Sequence, residues 1–591
     1  MLRVFGSYMF GKSPEERMKG DMLALFEVKD NPMVSYSEFS SGPLFLVYER
    51  VNDPKADNYY YIDQDRDVSC FVIGNIHAYE ESRLEVFLGI NVAQWVVQAY
   101  QKKESFDFVK GLRGIFNIII FDKGKLFLIN DILGLSPMYV KRSADRLFFC
   151  SEAEPIIEMK DNNEIDRESI VDFFVYGLIP QGKTFVSGLE NQTEATVMEI
   201  AVGKVAIKSY GEFQCADLKG MSHDEKIQIF HDTFKEGVAI RAPQEEVLAD
   251  LTGGRDTRFI IANLLKLNKK ITVITYDINP SDAAIARQLA KKLGLKYVDE
   301  RSSSFPSEAA IAGKVAKKLG LKHFVGQSSI LPKEDYFYRF QTKYGRDRDI
   351  DPCKIAFLKE QNRLWYAVQR HPKFGGQFAN GLLSQPPSAF RKGLDPDYLG
   401  TAKKIFKASF LSKCKNIEKK DFSAFLNKID PYMSIPFGKT HQYCYLTQIG
   451  RSYLNTYHGK YWARPTHFFQ YSKLMPFIDS KFFSVLLSME SEYFYKYQAY
   501  NEVYERFFPE LNEFPIYQAP LGNSLGVNLM IGQNPIEKAF SNNLNDIPEF
   551  KRFLKESKII QLTPYVLTQK FSELMFFYYW FRSNQDILRG S

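Results

Sequence analysis

Residues 247–265 read VLADLTGGRDTRFIIANLL, and this stretch decides the fold of the chain's second half. Val247–Leu251 is an apolar run of strand length, and from Arg258 apolar residues recur at helical spacing. The loop between them lies at the C-terminal end of a strand and at a helix N-terminus. Backbone N–H groups and the helix dipole make such a place favourable for an anion. Gly253 and Gly254 let the backbone approach a phosphate with no Cβ in the way, and Leu251 and Arg255 flank them. Thr252 and Thr257 carry hydroxyl donors, and Arg258 can pair with phosphate oxygens. Asp256 would repel a bare phosphate, but it suits the Mg²⁺ that accompanies a polyphosphate, since Mg²⁺ takes oxygen ligands and few protein carboxylates. No Lys-Ser/Thr pair follows the glycines, so this is not a Walker A loop, and no GxGxxG is present. The same residues also fit a tight strand-to-helix turn with Asp256 as the cap, and the loop alone leaves both readings open.

Working outward, helix Arg258–Leu267, strand Ile271–Tyr276 and helix Ala283–Leu293 continue a βα alternation that predicts a doubly wound parallel sheet. Thr275 and Tyr276 end the second strand. SDAAIARQLAKKLGLK (281–296) recurs as SEAAIAGKVAKKLGLK (307–322), each copy an amphipathic helix with Gly294 or Gly320 placed just past its end. A local duplication of one unit accounts for two copies; a solenoid would need more. From Asp335 the pattern is mostly helical with many aromatics, among which Tyr497 and Tyr500 fit core or groove packing better than a role at the substrate. Gly375 and Gly376 there fit either a loop beside ribose and phosphates or a plain turn. Up to residue 213 short apolar runs separated by turn residues predict packed antiparallel sheets, with helices at 91–102 and 167–176. Residues 214–221 read as a linker, and a helical period starts at His223.

Composition narrows the classes. A formal charge of +7 over 591 residues is too small to argue for a nucleic-acid binder, and the lysine run from Lys403 to Lys420 reads as a solvated helix face. Six scattered cysteines without a CxxC pair and isolated histidines fit a reducing compartment and no protein-ligated transition metal. The N-terminus lacks a signal-peptide core, and the most apolar run, 114–121, is too short to span a bilayer. A cytoplasmic protein with no membrane partner is expected.

LTGGRDTR resembles the SGGxDS pyrophosphate loop of ATP pyrophosphatases. Its flanks resemble the synthetase domain of the asparagine synthetase and β-lactam synthetase family, with Thr252 and Thr257 where that family has serines. LMPFIDSKFFSVLLSM (474–489) is similar to the family's PFLD segment and the helix after it, and residues 108–157 are similar to its glutaminase-like domain. The resemblance implies an N-terminal Ntn-hydrolase-like αββα sandwich over 1–213. It also implies a PP-loop synthetase domain over 214–591, α/β with a large helical C-terminal part. ATP and Mg²⁺ are the implied cofactors, with Thr275 and Tyr276 on a strand that resembles the one helping to hold adenine, a small-molecule or peptide carboxylate as substrate and an amine or ammonia as acceptor. A homodimer is a possible assembly that the sequence does not decide.

The departures from the family shape the expected mechanism. Residue 2 is Leu2, where the family's glutaminases carry the nucleophilic Cys. Ile73, Asn75 and Asn91 replace polar or acidic residues of the glutamine pocket, so glutamine hydrolysis is expected to be lost. Asn380 stands at the family's second metal aspartate, and Gln518 is the nearest match to its pyrophosphate lysine. The favoured expectation is adenylation of a carboxylate followed by amide formation, with Asp256 and Arg258 as catalytic residues. The rivals are ammonia-dependent asparagine synthetase chemistry, tRNA modification, and a nucleotide-binding scaffold without turnover.

Overall fold

The computed structural model describes residues 3–26, 34–51, 59–80, 82–84, 91–103, 105–159, 163–166, 168–169, 182–243, 247–251, 255–276, 288–294, 296–300, 373–374, 473–490, 493 and 497–511. Residues 3–209 form two antiparallel sheets. The first has the order β11 (Leu189–Asn191), β9 (Tyr139–Arg142), β10 (Arg146–Cys150), β1 (Arg3–Met9), β3 (Leu44–Val51) and β2 (Val34–Ser41). The second has the order β13 (Lys204–Ser209), β12 (Thr196–Ala201), β8 (Lys125–Asn130), β7 (Leu112–Asp122), β5 (Val68–Tyr79) and β4 (Tyr60–Asp63), with β6 (Ser82–Arg83) beside β5.

The alternation along these strands decides the layers, because successive side chains point to opposite faces. Val4 and Tyr8 of β1 join Leu46, Tyr48, Phe71 and Ile119 in one buried cluster between the sheets, where the rings of Tyr48 and Phe71 lie 5.4 Å apart. Phe5 points the other way, to Phe26 of α1 (Glu16–Phe26) at 6.3 Å. On the far side α2 (Val92–Lys103) covers the second sheet, with Trp95 5.0 Å from Tyr79. Helix, sheet, sheet and helix therefore stack in the αββα order expected of this half. Helix α2 begins at Val92, one residue from the predicted start; of the predicted helix 167–176, only residues 168 and 169 lie within the described residues.

The sandwich depends on a close approach of β5 and β7. Gly74 takes φ +87°, and a Cβ there would sit 2.2 Å from the carbonyl oxygen of Ile115, next to the irregularity in register between Ile76 and Ala78. Gly74→Ala is expected to cost about 2–4 kcal/mol, combining backbone strain with overpacking. Thermal denaturation checks this; an unchanged melting temperature would show that the strands can part without loss.

After the short helix α3 (Ala153–Glu158) of the sandwich, the second half begins with α4 (His223–Ala239). Its N-terminus carries a capping box in which the Ser222 hydroxyl accepts from Glu225 N and the Glu225 carboxylate accepts from Ser222 N. The linker 214–221 is not a loose tether. Ala216 N donates to Ser484 O at 3.2 Å, and Ser488 Oγ donates to Ala216 O at 2.6 Å. The third sheet is wholly parallel, in the order β16 (Lys296–Glu300), β15 (Ile271–Tyr276), β14 (Val247–Asp250), β17 (Lys373–Phe374) and β18 (Lys473–Leu474). In order of appearance this is 3-2-1-4-5, a doubly wound order whose direction reverses between β14 and β17.

Helix α5 (Arg255–Lys266) starts three residues earlier than its apolar period indicates. Arg-Asp-Thr form its first turn, where an acidic residue is favoured by the helix dipole, so polarity there does not mark a loop. Gly294 takes φ +62°, as its position past the end of the predicted helix requires. One cluster joins the halves: Ile115, Leu133 and Leu135 pack with residues of α4, α5, α6 (Ser480–Ser488) and α7 (Gln498–Phe507).

Candidate functional site

Parallel α/β sheets bind ligands outside the carboxyl ends of their strands, at the point where the strand order reverses. Here that point is the gap between β14 and β17, which pair in parallel through Leu248 with Lys373 and Ala249 with Phe374. The chain leaves β14 through buried Leu251 into Thr252, Gly253 and Gly254, and leaves β17 into Gly375 and Gly376; these five polar and glycine residues lie outside the described residues, as do Asn380 and Gln518. Thr275 and Tyr276 end β15 beside β14, with only their backbone described. The topology thus directs three of the sequence-selected segments to neighbouring strand ends.

Arg255, Asp256, Thr257 and Arg258 form the first turn of α5. Thr257 is buried and Arg258 only 1% exposed, so the guanidinium expected to meet phosphate is enclosed by protein. Arg255 and Asp256 are partly exposed. Burial pushes the Asp256 carboxyl up to about 7, against the opposing influence of the Tyr500 hydroxyl and the Arg255 charge. The Tyr500 hydroxyl donates to Asp256 Oδ1 at 3.4 Å, and among the described residues no salt bridge compensates the carboxylate. A half-enclosed carboxylate at a helix N-terminus without a paired cation fits a hard divalent ion that also binds a polyphosphate. The donor set is therefore compatible with Mg²⁺.

Sequence reading gave Tyr500 and its neighbours no firm role, yet α7 lies directly on this turn. Tyr504 Oη donates to Arg255 O at 2.5 Å, Arg255 Nη1 donates to Asn501 Oδ1, and the Arg255 guanidinium lies 5.8 Å from the centre of the Tyr497 ring. The 3.6-residue spacing of Tyr497, Tyr500 and Tyr504 was the available signal, but an aromatic stripe looks the same when it only fills a core.

His231 of α4 holds the other end of α7, stacked on Phe507 with ring centres 3.9 Å apart and planes within 6°. Burial lowers its pKa below the ordinary value, opposed by Asp232 at 3.2 Å and reinforced by Lys266 and Lys235. The unfolded chain therefore takes up a proton that the folded chain resists. The stabilisation is complete above about pH 6.5, the unfolded value, and is lost as pH falls below it. His231→Phe is expected to flatten the dependence of the unfolding midpoint on pH between about pH 5 and 7. Midpoints that fall equally in wild type and variant would refute this.

Three side chains selected in the first half also have definite partners. Ile73 is fully buried, the Asn75 side-chain oxygen accepts from Tyr59 Oη at 3.0 Å, and Asn91 caps α2 by accepting from Gln94 N at 2.8 Å. Asn91 Nδ2 also donates to Tyr60 O at 3.2 Å. Cys70 and Cys150 are buried within strands, and burial pushes the Cys70 thiol well above its usual range.

Residues 67–211 match the glutamine amidotransferase domain family. The chain is 21% identical over 198 residues to asparagine synthetase [glutamine-hydrolyzing] 1 of Bacillus subtilis (strain 168), which covers 32% of this chain and 31% of that protein. It is 28% identical over 102 residues to asparagine synthetase [glutamine-hydrolyzing] 2 of the same organism, covering 16% and 14%. The chain is thus similar to asparagine synthetases over part of its length, and its matches span less than a third of the length of either relative. Among solved structures it is similar, at a TM-score of 0.26 and 10% identity, to an allosteric regulatory enzyme of purine biosynthesis, over 56% of this chain and 68% of that one. Glutamine phosphoribosylpyrophosphate amidotransferase from B. subtilis matches at a TM-score of 0.22 and 11% identity, over 54% and 71%. Likeness at that level does not bear on the arrangement described above.

Proposed function

We propose that the chain is an ATP-dependent carbon–nitrogen ligase. A carboxylate oxygen attacks the α-phosphorus of ATP, the bond to the β-phosphate oxygen breaks, and acyl-adenylate and pyrophosphate result. An amine then attacks the acyl carbon, the bond to AMP breaks, and an amide, AMP and a proton are released. The observation that carries this reading is the position of Asp256 in the first turn of α5, at the reversal point of the sheet. Backbone amides of the 252–257 segment and the dipole of α5 would stabilise the negative charge that develops on leaving pyrophosphate. A Mg²⁺ ion held through Asp256 would supply further charge neutralisation. Arg258, being enclosed, is assigned to fixing the field of the turn, and Thr252, Gly253, Gly254, Thr275, Tyr276, Gly375 and Gly376 to enclosing the nucleotide.

We further propose that residues 1–213 are a sandwich without glutaminase activity and residues 214–591 the ligase. Support comes from Asn75 and Asn91 themselves, amides committed to local hydrogen bonds that present no carboxylate of their own to a substrate ammonium group. The amine is then free ammonia or part of a substrate. Incubation with Mg²⁺-ATP, ammonia and a panel of carboxylates, followed by assay of AMP and of pyrophosphate exchange into ATP, tests the reading. AMP formation dependent on one carboxylate supports it. ADP as the only product would sink adenylation, and release of glutamate from glutamine would sink the claim about the first half.

A further inference from the structure

We infer that Tyr500 is a positioning residue, which sets the orientation of the Asp256 carboxylate toward the metal–nucleotide and does so from a helix more than two hundred residues downstream. This rests on the ligase reading of the site and adds a residue to it. The Tyr500 side chain is 2% exposed, its ring packs edge-on against Phe259 of α5 at 5.1 Å, and its hydroxyl reaches Asp256 Oδ1 at 3.4 Å. A carboxylate near the start of a helix has rotamers that point along the axis or away from it, and one hydroxyl donor on one oxygen selects among them. Among the described residues no hydrogen bond or ion pair holds the other oxygen, which a ligand can take.

The rest of α7 makes that placement rigid. Tyr504 holds the carbonyl of Arg255, and Asn501 and the Tyr497 ring hold the Arg255 side chain, so the backbone preceding Asp256 cannot swing independently of α7. Tyr497 adopts φ 59°, ψ 34° at the entry to α7, a left-handed conformation that a bulky residue takes only when its surroundings enforce it. The strain and the hydrogen bonds converge on one turn of α5, the turn that carries Asp256.

The test is titration calorimetry of Mn²⁺-ATP on the full-length chain for wild type, Tyr500→Phe, Asp256→Asn and the double variant, with the melting temperature of each ligand-free protein. Tyr500→Phe keeps the ring and removes only the hydroxyl. Its affinity for Mn²⁺-ATP is expected to fall about tenfold, as a hydrogen bond to a charged group implies, with melting near that of wild type. In the Asp256→Asn background the same change is expected to add little, because the partner is already altered. Wild-type affinity in Tyr500→Phe, or losses that simply add in the double variant, would overturn the positioning role while leaving the ligase reading intact. Absence of binding by wild type would instead remove the ligase reading and the positioning role with it. Should Tyr500→Phe melt far below wild type, Tyr504→Phe, which frees the Arg255 carbonyl, tests the same clamp by the same readout: a tenfold loss supports it and wild-type affinity overturns it.

Discussion

Asp479→Ala is expected to cost about 3–5 kcal/mol of stability, the largest loss of any substitution considered, because it strands two buried cations. Asp479 is fully buried at the N-terminus of α6. Its Oδ1 accepts from Arg113 Nη2 at 2.6 Å, and its Oδ2 accepts from Arg241 Nη1 at 2.7 Å and Arg113 Nε at 3.2 Å. It also caps α6, accepting from Lys481 N at 3.1 Å and Phe482 N at 3.2 Å. Arg113 stands on β7 of the sandwich and Arg241 just after α4, so this one carboxylate ties the two halves together. Glu236 accepts from Arg113 Nη1 and from Lys481 Nζ, but it cannot neutralise both guanidiniums and the lysine.

Burial alone would raise the Asp479 pKa; the charges of Arg241 and Arg113 overcome it and hold the carboxyl far below the usual range. A depressed folded-state value means that the stabilisation is present above the unfolded value of about 3.9 and is lost as pH falls below it. Denaturant unfolding of wild type, Asp479→Ala and Asp479→Asn at neutral pH checks the magnitude. The asparagine retains an N-cap acceptor, whose own contribution is about 1 kcal/mol, and so separates capping from charge. A loss below about 1 kcal/mol in the alanine variant would mean that the arginines find other partners or water, and the tie between the halves would be dispensable.

Asp256→Ala is expected to abolish Mg²⁺-ATP binding without weakening the ligand-free protein. A ligand at one hundred times its dissociation constant stabilises the folded state by about 2.7 kcal/mol, and the variant is expected to lose that increment in full. The ligand-free variant is expected to be at least as stable as wild type, because the Tyr500 hydroxyl at 3.4 Å and the Arg255 charge do not offset the burial of the carboxylate it removes. Residues kept for binding at a cost in stability behave in this way. Thermal shift with and without Mg²⁺-ATP, confirmed by calorimetry, measures both quantities. Equal shifts in wild type and variant would remove Asp256 from the site. A variant that melts much lower without ligand would reassign Asp256 to folding, in line with the capping alternative that the loop sequence left open.

The sequence by itself determined the kinds of elements and their order. Period-two runs marked the sandwich strands, the strand–Gly-Gly–helix join marked a parallel unit, and Gly294 marked a helix end, because these follow from interactions within a few residues. The resemblance to asparagine synthetases was also legible, since motifs such as GIFNIIIFD and PFID are local. The start of α5 lies three residues before the point its apolar period indicates, because Arg255, Asp256 and Thr257 suit a loop and a first helical turn equally; hydrogen bonding of the backbone decides, and the side chains do not declare it. Only the tertiary structure decided that β14 and β17, more than one hundred residues apart, are neighbours, and so that the strand order reverses between them. Likewise, Asp479 read as part of a family signature, while its pairing with Arg113 across 366 positions and Arg241 across 238 gives it its role. Tyr500 read as one aromatic in a stripe. Its hydroxyl acquires meaning only where packing brings it to Asp256, since burial and partner choice are properties of the assembled fold and not of the local chain.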